Sequence, residues 1–162
     1  MKTTIFNQIN ESLQQEGFTI ASYDDNRPWG GFFVIDENQA QQFANRYFEG
    51  LDVSSLKISG KLSPKILLVA PHQRLSWQYH YRRAEIWRLI DGAAGVMRSQ
   101  DDIQGQVEIL KKGDYITLQQ GERHRLVGLE DWGVVAEIWQ HTDAENPSDE
   151  NDIVRVQDDF GR

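Results

Sequence analysis

Apolar and polar positions along the chain follow two different rhythms. Near the start, Ile5, Ile9 and Leu13 share one helical face and Gly17 follows as a stop, so the pattern predicts a short amphipathic helix. A strand is expected over 18–23. Arg27-Pro28-Trp29-Gly30 interrupts the pattern, and a second strand follows at 31–35. Ala40, Phe43, Ala44, Tyr47 and Phe48 return to helical spacing, with Asp36 placed to cap and Gly50 to stop, which predicts a second helix over 37–49. Beyond residue 56 the rhythm becomes short β-rich runs at 65–70, 75–80, 85–90, 95–99, 106–110, 115–118, 124–129 and 134–140, with turn residues between most of them. Many short strands with regular punctuation indicate a sandwich or barrel and not a βαβ fold.

Length changes this picture little: 162 residues suit one domain with a sizeable core. The expected layout is a helical arm with the first strands at 1–55, a barrel at 56–142 and a tail at 143–162 that folds back, its Ile153, Val154 and Phe160 packing on the body. Charge is more informative. The formal net charge is −8, and residues 143–159 carry seven acidic side chains against Arg155, which leaves the body near neutral. Nucleic acid is therefore not an expected partner, while a local basic pocket for a small anion remains open. No apolar run approaches a membrane span or a signal peptide, so no membrane partner is expected and the location expected is cytoplasmic. Without cysteine there is neither a disulfide nor a thiolate site, and any metal would be held by nitrogen and oxygen.

Candidate chemistry concentrates in HQRLSWQYHYRRAEIWRLIDG, residues 72–92. Gln78 and His80 are two apart and share a face of a strand. Glu85 has the opposite parity, so residues 81–84 are expected to turn the chain in a hairpin, and Asp91-Gly92 to end the next strand. A fourth ligand is expected from GDYITLQQGERHRLVG, where His124 opens a strand after the loop 119–123. His72 and His141 are given little weight as ligands. Arg74, Arg82, Arg83, Arg88, Arg123 and Arg125 read as solvated strand ends, with phosphate contact assigned to none. The five tryptophans read as core or pocket wall.

The spacing resembles the paired motifs of the cupin superfamily, G(x)5HxH(x)3–4E(x)6G and G(x)5PxG(x)2H(x)3N. Here His72, Gln78, His80, Glu85 and Gly92 fill the first, and Gly113, Gln119, Gly121, His124 and Gly128 fill the second. The departures are His72 for glycine, Gln78 for histidine, Gln119 for proline and Gly128 for asparagine. The resemblance implies an all-β cupin double-stranded β-helix, or jelly-roll barrel, with short N-terminal helices. Within the cupins, RPWGGFFVIDE, LSWQYHYRRAEIW, GERHRL and NDIVRVQDDFGR resemble the type II phosphomannose isomerase domain, here without its nucleotidyltransferase partner. That resemblance implies metal ligands Gln78, His80, Glu85 and His124, with Lys65 and Glu137 matching a family lysine and glutamate. Tyr81-Arg82 replace two histidines, Ile66 stands for an arginine, and the insertion 37–55 is unusual for this module.

An aldose–ketose isomerisation passes a proton between C1 and C2 through a cis-enediol, so it needs a base and stabilisation of two oxygens. The resemblance thus implies isomerisation of mannose 6-phosphate to fructose 6-phosphate, with a divalent metal ion as cofactor: zinc first, with manganese, iron, cobalt or nickel as alternatives. Lys65 and Glu137 are the candidate base groups, and Arg162 is a candidate for phosphate or substrate charge. The partner expected is a small-molecule sugar phosphate, and a homodimer is an open option. Two other classes stay open: a metal-dependent cupin oxygenase, and a non-enzymatic sugar-binding or regulatory cupin.

Overall fold

The computed structural model describes residues 2–56 and 61–161. Helix α1 (Lys2–Gln15) buries Phe6 and Leu13, while Ile5 and Ile9 pack partly buried beside them. It ends as Phe18 N–H reaches back to the Leu13 carbonyl at 3.0 Å, which satisfies an orphan acceptor of the last turn. Strands β1 (Ile20–Arg27) and β2 (Gly30–Ile35) form the first hairpin. The helix expected over 37–49 resolves into a 3₁₀ turn at Glu37–Gln39, capped by the Asp36 carboxylate on Asn38 N, followed by α2 (Ala40–Tyr47).

The remaining strands are β3 (Lys65–Val69), β4 (Trp77–Tyr79), β5 (Arg83–Ser99), β6 (Glu108–Ile109), β7 (Tyr115–Leu118), β8 (Arg123–His141) and β9 (Val154–Gln157). They pair antiparallel in the order β1-β2-β3-β8-β4-β9, with β5 on β8, β6 and β7. This is the expected cupin barrel. Among the described residues, no helix is long and apolar enough to cross a membrane.

Two expectations about turns are corrected. Asp91-Gly92 does not end a strand: β5 continues through it and pairs with β8 from Arg83↔His141 to Ser99↔Arg123, with register shifts at Leu89/Asp91 and Gly92/Ala94. The pair is a bulge. Gly92 has φ +71, and a Cβ there would fall 1.8 Å from the Trp132 carbonyl oxygen, so the bend needs glycine. For the same reason the runs 124–129 and 134–140 are one strand. Residues 81–84 do not close a hairpin either, because β4 pairs with β8 and β9 and not with β5. The turn carries the chain from one part of the barrel wall to another.

Alternation along the strands sorts side chains onto two faces. Ile66, Leu68, Ile86, Val134, Ala136 and Ile138 face outward and are covered by α1, α2 and Phe33. Leu67, Val69, Trp87, Leu89, Leu126 and Val135 face inward and fill one end of the barrel. Lys65, Glu85 and Glu137 have the inward parity, so the polar groups of the other end are cut into an otherwise apolar interior. The helical insertion also accounts for Ile66: it points into the core beneath the helices, fully buried, where an arginine would have no solvent.

Candidate metal centre

Three side chains converge inside the barrel. His80 follows β4, Glu85 lies on β5 and His124 on β8, and their ligand atoms all lie within 4.8 Å of one another. Glu85 Oε2 is 3.3 Å from His80 Nε2, and Glu85 Oε1 is 3.2 Å from His124 Nε2. All three residues are no more than 2 % exposed.

Each imidazole is fixed from behind by a backbone carbonyl. His80 Nδ1 lies 2.6 Å from the Asp152 oxygen and His124 Nδ1 lies 2.9 Å from the Glu122 oxygen. A carbonyl can only accept, so the proton belongs on Nδ1 and the Nε2 lone pair of each ring faces inward. Glu85 Oε1 and His124 Nε2 are buried with no hydrogen-bond partner. Arg83 supplies a donor to Glu85 Oε2 and lies 3.5 Å from His80 Nε2, but Glu85 Oε1 and His124 Nε2 meet with no donor between them, which a small cation would satisfy, so the residues present fit a divalent ion held by two imidazoles and a carboxylate.

The electrostatics agree. Burial is the largest influence on His80 and pushes it down to about 4, so it is neutral near pH 7. Burial would raise the Glu85 carboxyl, but His80, Arg83 and His124 outweigh it and hold the group well below the ordinary carboxylate range. Burial would lower His124, and contact with Glu85 together with the Glu122 carbonyl raises it instead.

Gln78 is paired across the strands with His124, and it lines the same cavity of about 140 Å³ as Glu85, Glu137 and Lys65. Its Oε1 accepts the Ser76 hydroxyl at 2.6 Å. Lys65 and Glu137 face each other on β3 and β8, with Nζ and Oε2 3.8 Å apart. Trp87 Nε1–H donates to Glu137 Oε1 at 2.8 Å. Burial, then the nearby Glu85 charge, pushes the Glu137 carboxyl up to about 7 against the opposing pull of Lys65, Arg83 and Trp87. Arg162 lies outside the described residues. A larger cleft of about 590 Å³ between α1 and β5 contains none of these groups.

The reading of Arg83 and Arg125 as solvated strand ends is corrected. Arg125 is fully buried and bonds the Leu75 carbonyl, Gln104 and Gln157. Arg83 Nε donates to Glu85 Oε2 at 3.0 Å, and its Nη1 reaches Ser148 Oγ and the Asp149 carbonyl. Its guanidinium stacks 3.9 Å over the ring of buried Trp139, against which Lys65 and Lys61 also lie at 5.1 and 5.9 Å. Strand parity was a usable signal, since Arg83 and Glu85 are two apart and share a face.

Sequence reasoning did not single out Asp152. Its carboxylate accepts from the backbone N–H of Tyr81 and of Arg82, both at 2.9 Å, and from Ser148 Oγ at 2.7 Å. In the same segment β9 pairs with β4, and Arg155 lines the cavity. Two motif departures also have structural accounts. His72, in a glycine slot, adopts φ +61. Gly128, in an asparagine slot, passes so close to the neighbouring loop that a Cβ would fall 2.0 Å from the Ala70 oxygen.

A bent antiparallel barrel with two histidines and a glutamate inside it defines a cupin. Comparison with solved structures agrees on the fold: CapF, a capsular polysaccharide assembling protein from Staphylococcus aureus, superposes with a TM-score of 0.55 over 86% of this chain and 34% of its own, at 10% identity. Oxalate oxidase in complex with glycolate gives 0.53 over 82% and 58%, at 16% identity. More narrowly, the chain belongs to the family described as mannose-6-phosphate isomerase C-terminal, which matches residues 50–158. Among curated proteins, a mannose-1-phosphate guanylyltransferase of Salmonella montevideo is 30% identical over 136 residues, which are 84% of this chain and 23% of that protein. The xanthan biosynthesis protein XanB of Xanthomonas campestris pv. campestris is 28% identical over 136 residues, with the same coverage of both chains. The chain thus spans about a quarter of the length of these relatives.

Proposed function

We propose that this protein is a divalent-metal-dependent aldose–ketose isomerase that interconverts mannose 6-phosphate and fructose 6-phosphate. The observation that carries the reading is the placement of Glu137 and Lys65 in the cavity that also receives Glu85 of the His80–Glu85–His124 cluster. In this reading His80, Glu85 and His124 hold the ion, with Gln78 beside them. A bound divalent ion, zinc in the first instance, supplies Lewis-acid polarisation of the sugar's O1 and O2.

Glu137 does the proton work. Its carboxyl, at about 7, suits a group that must both take and give a proton near neutral pH. It removes the proton from C2 and returns it to C1, while a proton moves from O2 to O1. Trp87 Nε1–H fixes one carboxyl oxygen, and Lys65 compensates the charge when the group is ionised. The apolar wall of Leu67, Leu75 and Trp87 limits water around the reacting carbons.

Neither histidine replacement touches this machinery. Tyr81 is 60% exposed, and Arg82 turns to Asn146 and the Pro147 carbonyl. The mannose-phosphate chemistry in the relatives' names supports the substrate class, and the reading goes with a cytoplasmic location. The test is deuterium incorporation at C2 from heavy water by the metal-loaded full chain. Exchange and ketose formation are expected with mannose 6-phosphate; absence of both with every aldose and aldose phosphate tried would overturn the reading.

A further inference from the structure

Lys65 is a cation only 9% exposed, with two carboxylates near it and neither at hydrogen-bond length. Glu137 is 3.8 Å away on the cavity floor, and Glu150, on the segment between β8 and β9, is 3.9 Å away at the mouth. Glu150 also reaches Lys61 Nζ at 3.5 Å. Its side chain is 60% exposed, so it costs little to move, whereas Lys65 is held by its strand and lies against Trp139.

The geometry points to an anion seat formed by Lys61 and Lys65, in which the Glu150 carboxylate sits as a built-in competitor that a phosphate monoester displaces. The inference rests on the reading of the cavity as a sugar-phosphate site. Distance supports it. Because Lys65 touches both, the carboxylates of Glu137 and Glu150 lie no more than about 8 Å apart. Six bonds separate C2 of a hexose from the phosphorus on O6, and an extended chain gains roughly 1.2 Å per bond, so the span is about 7 Å. With its C2 proton at Glu137, a hexose 6-phosphate is long enough to bring its phosphate to the lysines that Glu150 now faces. A dianion between two ammonium groups makes shorter and stronger contacts than the present carboxylate does.

The experiment is calorimetric titration of the full chain with inorganic phosphate, comparing wild type, Glu150→Gln and Glu145→Gln. Glu145 lies on the same segment and removes the same charge without touching either lysine. Glu150→Gln is expected to bind phosphate about fivefold more tightly than wild type, with Glu145→Gln unchanged. Equal affinity in all three, an equal gain in both variants, or no phosphate binding in any would overturn the seat. Deuterium exchange on the wild type separates the two readings: exchange without the Glu150 effect leaves the isomerase and removes the seat, and the Glu150 effect without exchange does the reverse.

Discussion

His80 donates its Nδ1 proton to the carbonyl oxygen of Asp152, 2.6 Å away and 72 residues further along the chain. The same residue's carboxylate holds the two amides that follow His80, so one tail residue fixes both the ring and the turn that carries it. Asp152→Ala keeps the carbonyl and removes the carboxylate. The turn then loses two charge-assisted acceptors, and zinc affinity is expected to fall by about tenfold to a hundredfold, in line with the loss of outer partners at metal sites. Zinc titration by calorimetry checks this, and unchanged affinity would count against the tail as a support for His80.

His124→Ala removes one of the three converging donors. Zinc binding is expected to weaken by orders of magnitude while the barrel persists, since the deleted ring leaves a polar pocket and not a core cavity. Circular dichroism and metal analysis separate loss of the ion from loss of the fold, and C2 exchange should fall with the metal.

Glu137 predicts a pH dependence of stability in the metal-free protein. Its folded pKa, about 7, lies above the unfolded carboxyl value of 4.5. Between those values the folded state keeps a proton that the unfolded state has lost, so this group's stabilising contribution is full below about 4.5 and disappears as pH rises through about 7. Glu137→Gln removes the titration and retains an acceptor for Trp87. Relative to the variant, wild type should lose on the order of 3 kcal/mol between pH 4.5 and 7.5, measured by urea unfolding in chelator; parallel profiles would refute the assignment.

Restoring the family asparagine at position 128 should harm this chain. A Cβ there meets the Ala70 oxygen at 2.0 Å and the Gln73 oxygen at 2.8 Å, both backbone atoms that no rotamer change can clear. Gly128→Asn is expected to cost about 3 kcal/mol or more, read as a fall in melting temperature. Gly128→Ala should cost nearly as much, because the clash begins at Cβ.

Much of the site was legible because strand parity is a local rule. Parity placed Gln78 and His80 on one face, whereas Lys65 and Glu137 came in through the family resemblance, and alternation on β3 and β8 is the physical reason that they face inward. Asp152 was not legible, because its grip on His80 runs through a backbone carbonyl, and a carbonyl has no residue signature. Gly92 misled for a different reason. Asp-Gly with a positive φ suits a hairpin turn and a bulge equally, and only the partner strand, forty-one residues away at Gly133, decides between them. Arg125 was unreadable for want of its partners, Gln104 and Gln157, which come from two separate segments.

Trp139 gives the cavity an optical voice. Its indole is wholly enclosed, with the Arg83 guanidinium against one face and the ammonium groups of Lys65 and Lys61 within 6 Å of the ring. An excited indole carries a larger dipole than its ground state, so its emission shifts with the field of nearby charge. Any anion that rearranges the lysines, and any cation that draws Glu85 away from Arg83, changes that field at a chromophore shielded from water. Trp139 therefore shares in any change of emission that an ion entering this cavity brings to the five tryptophans of the chain.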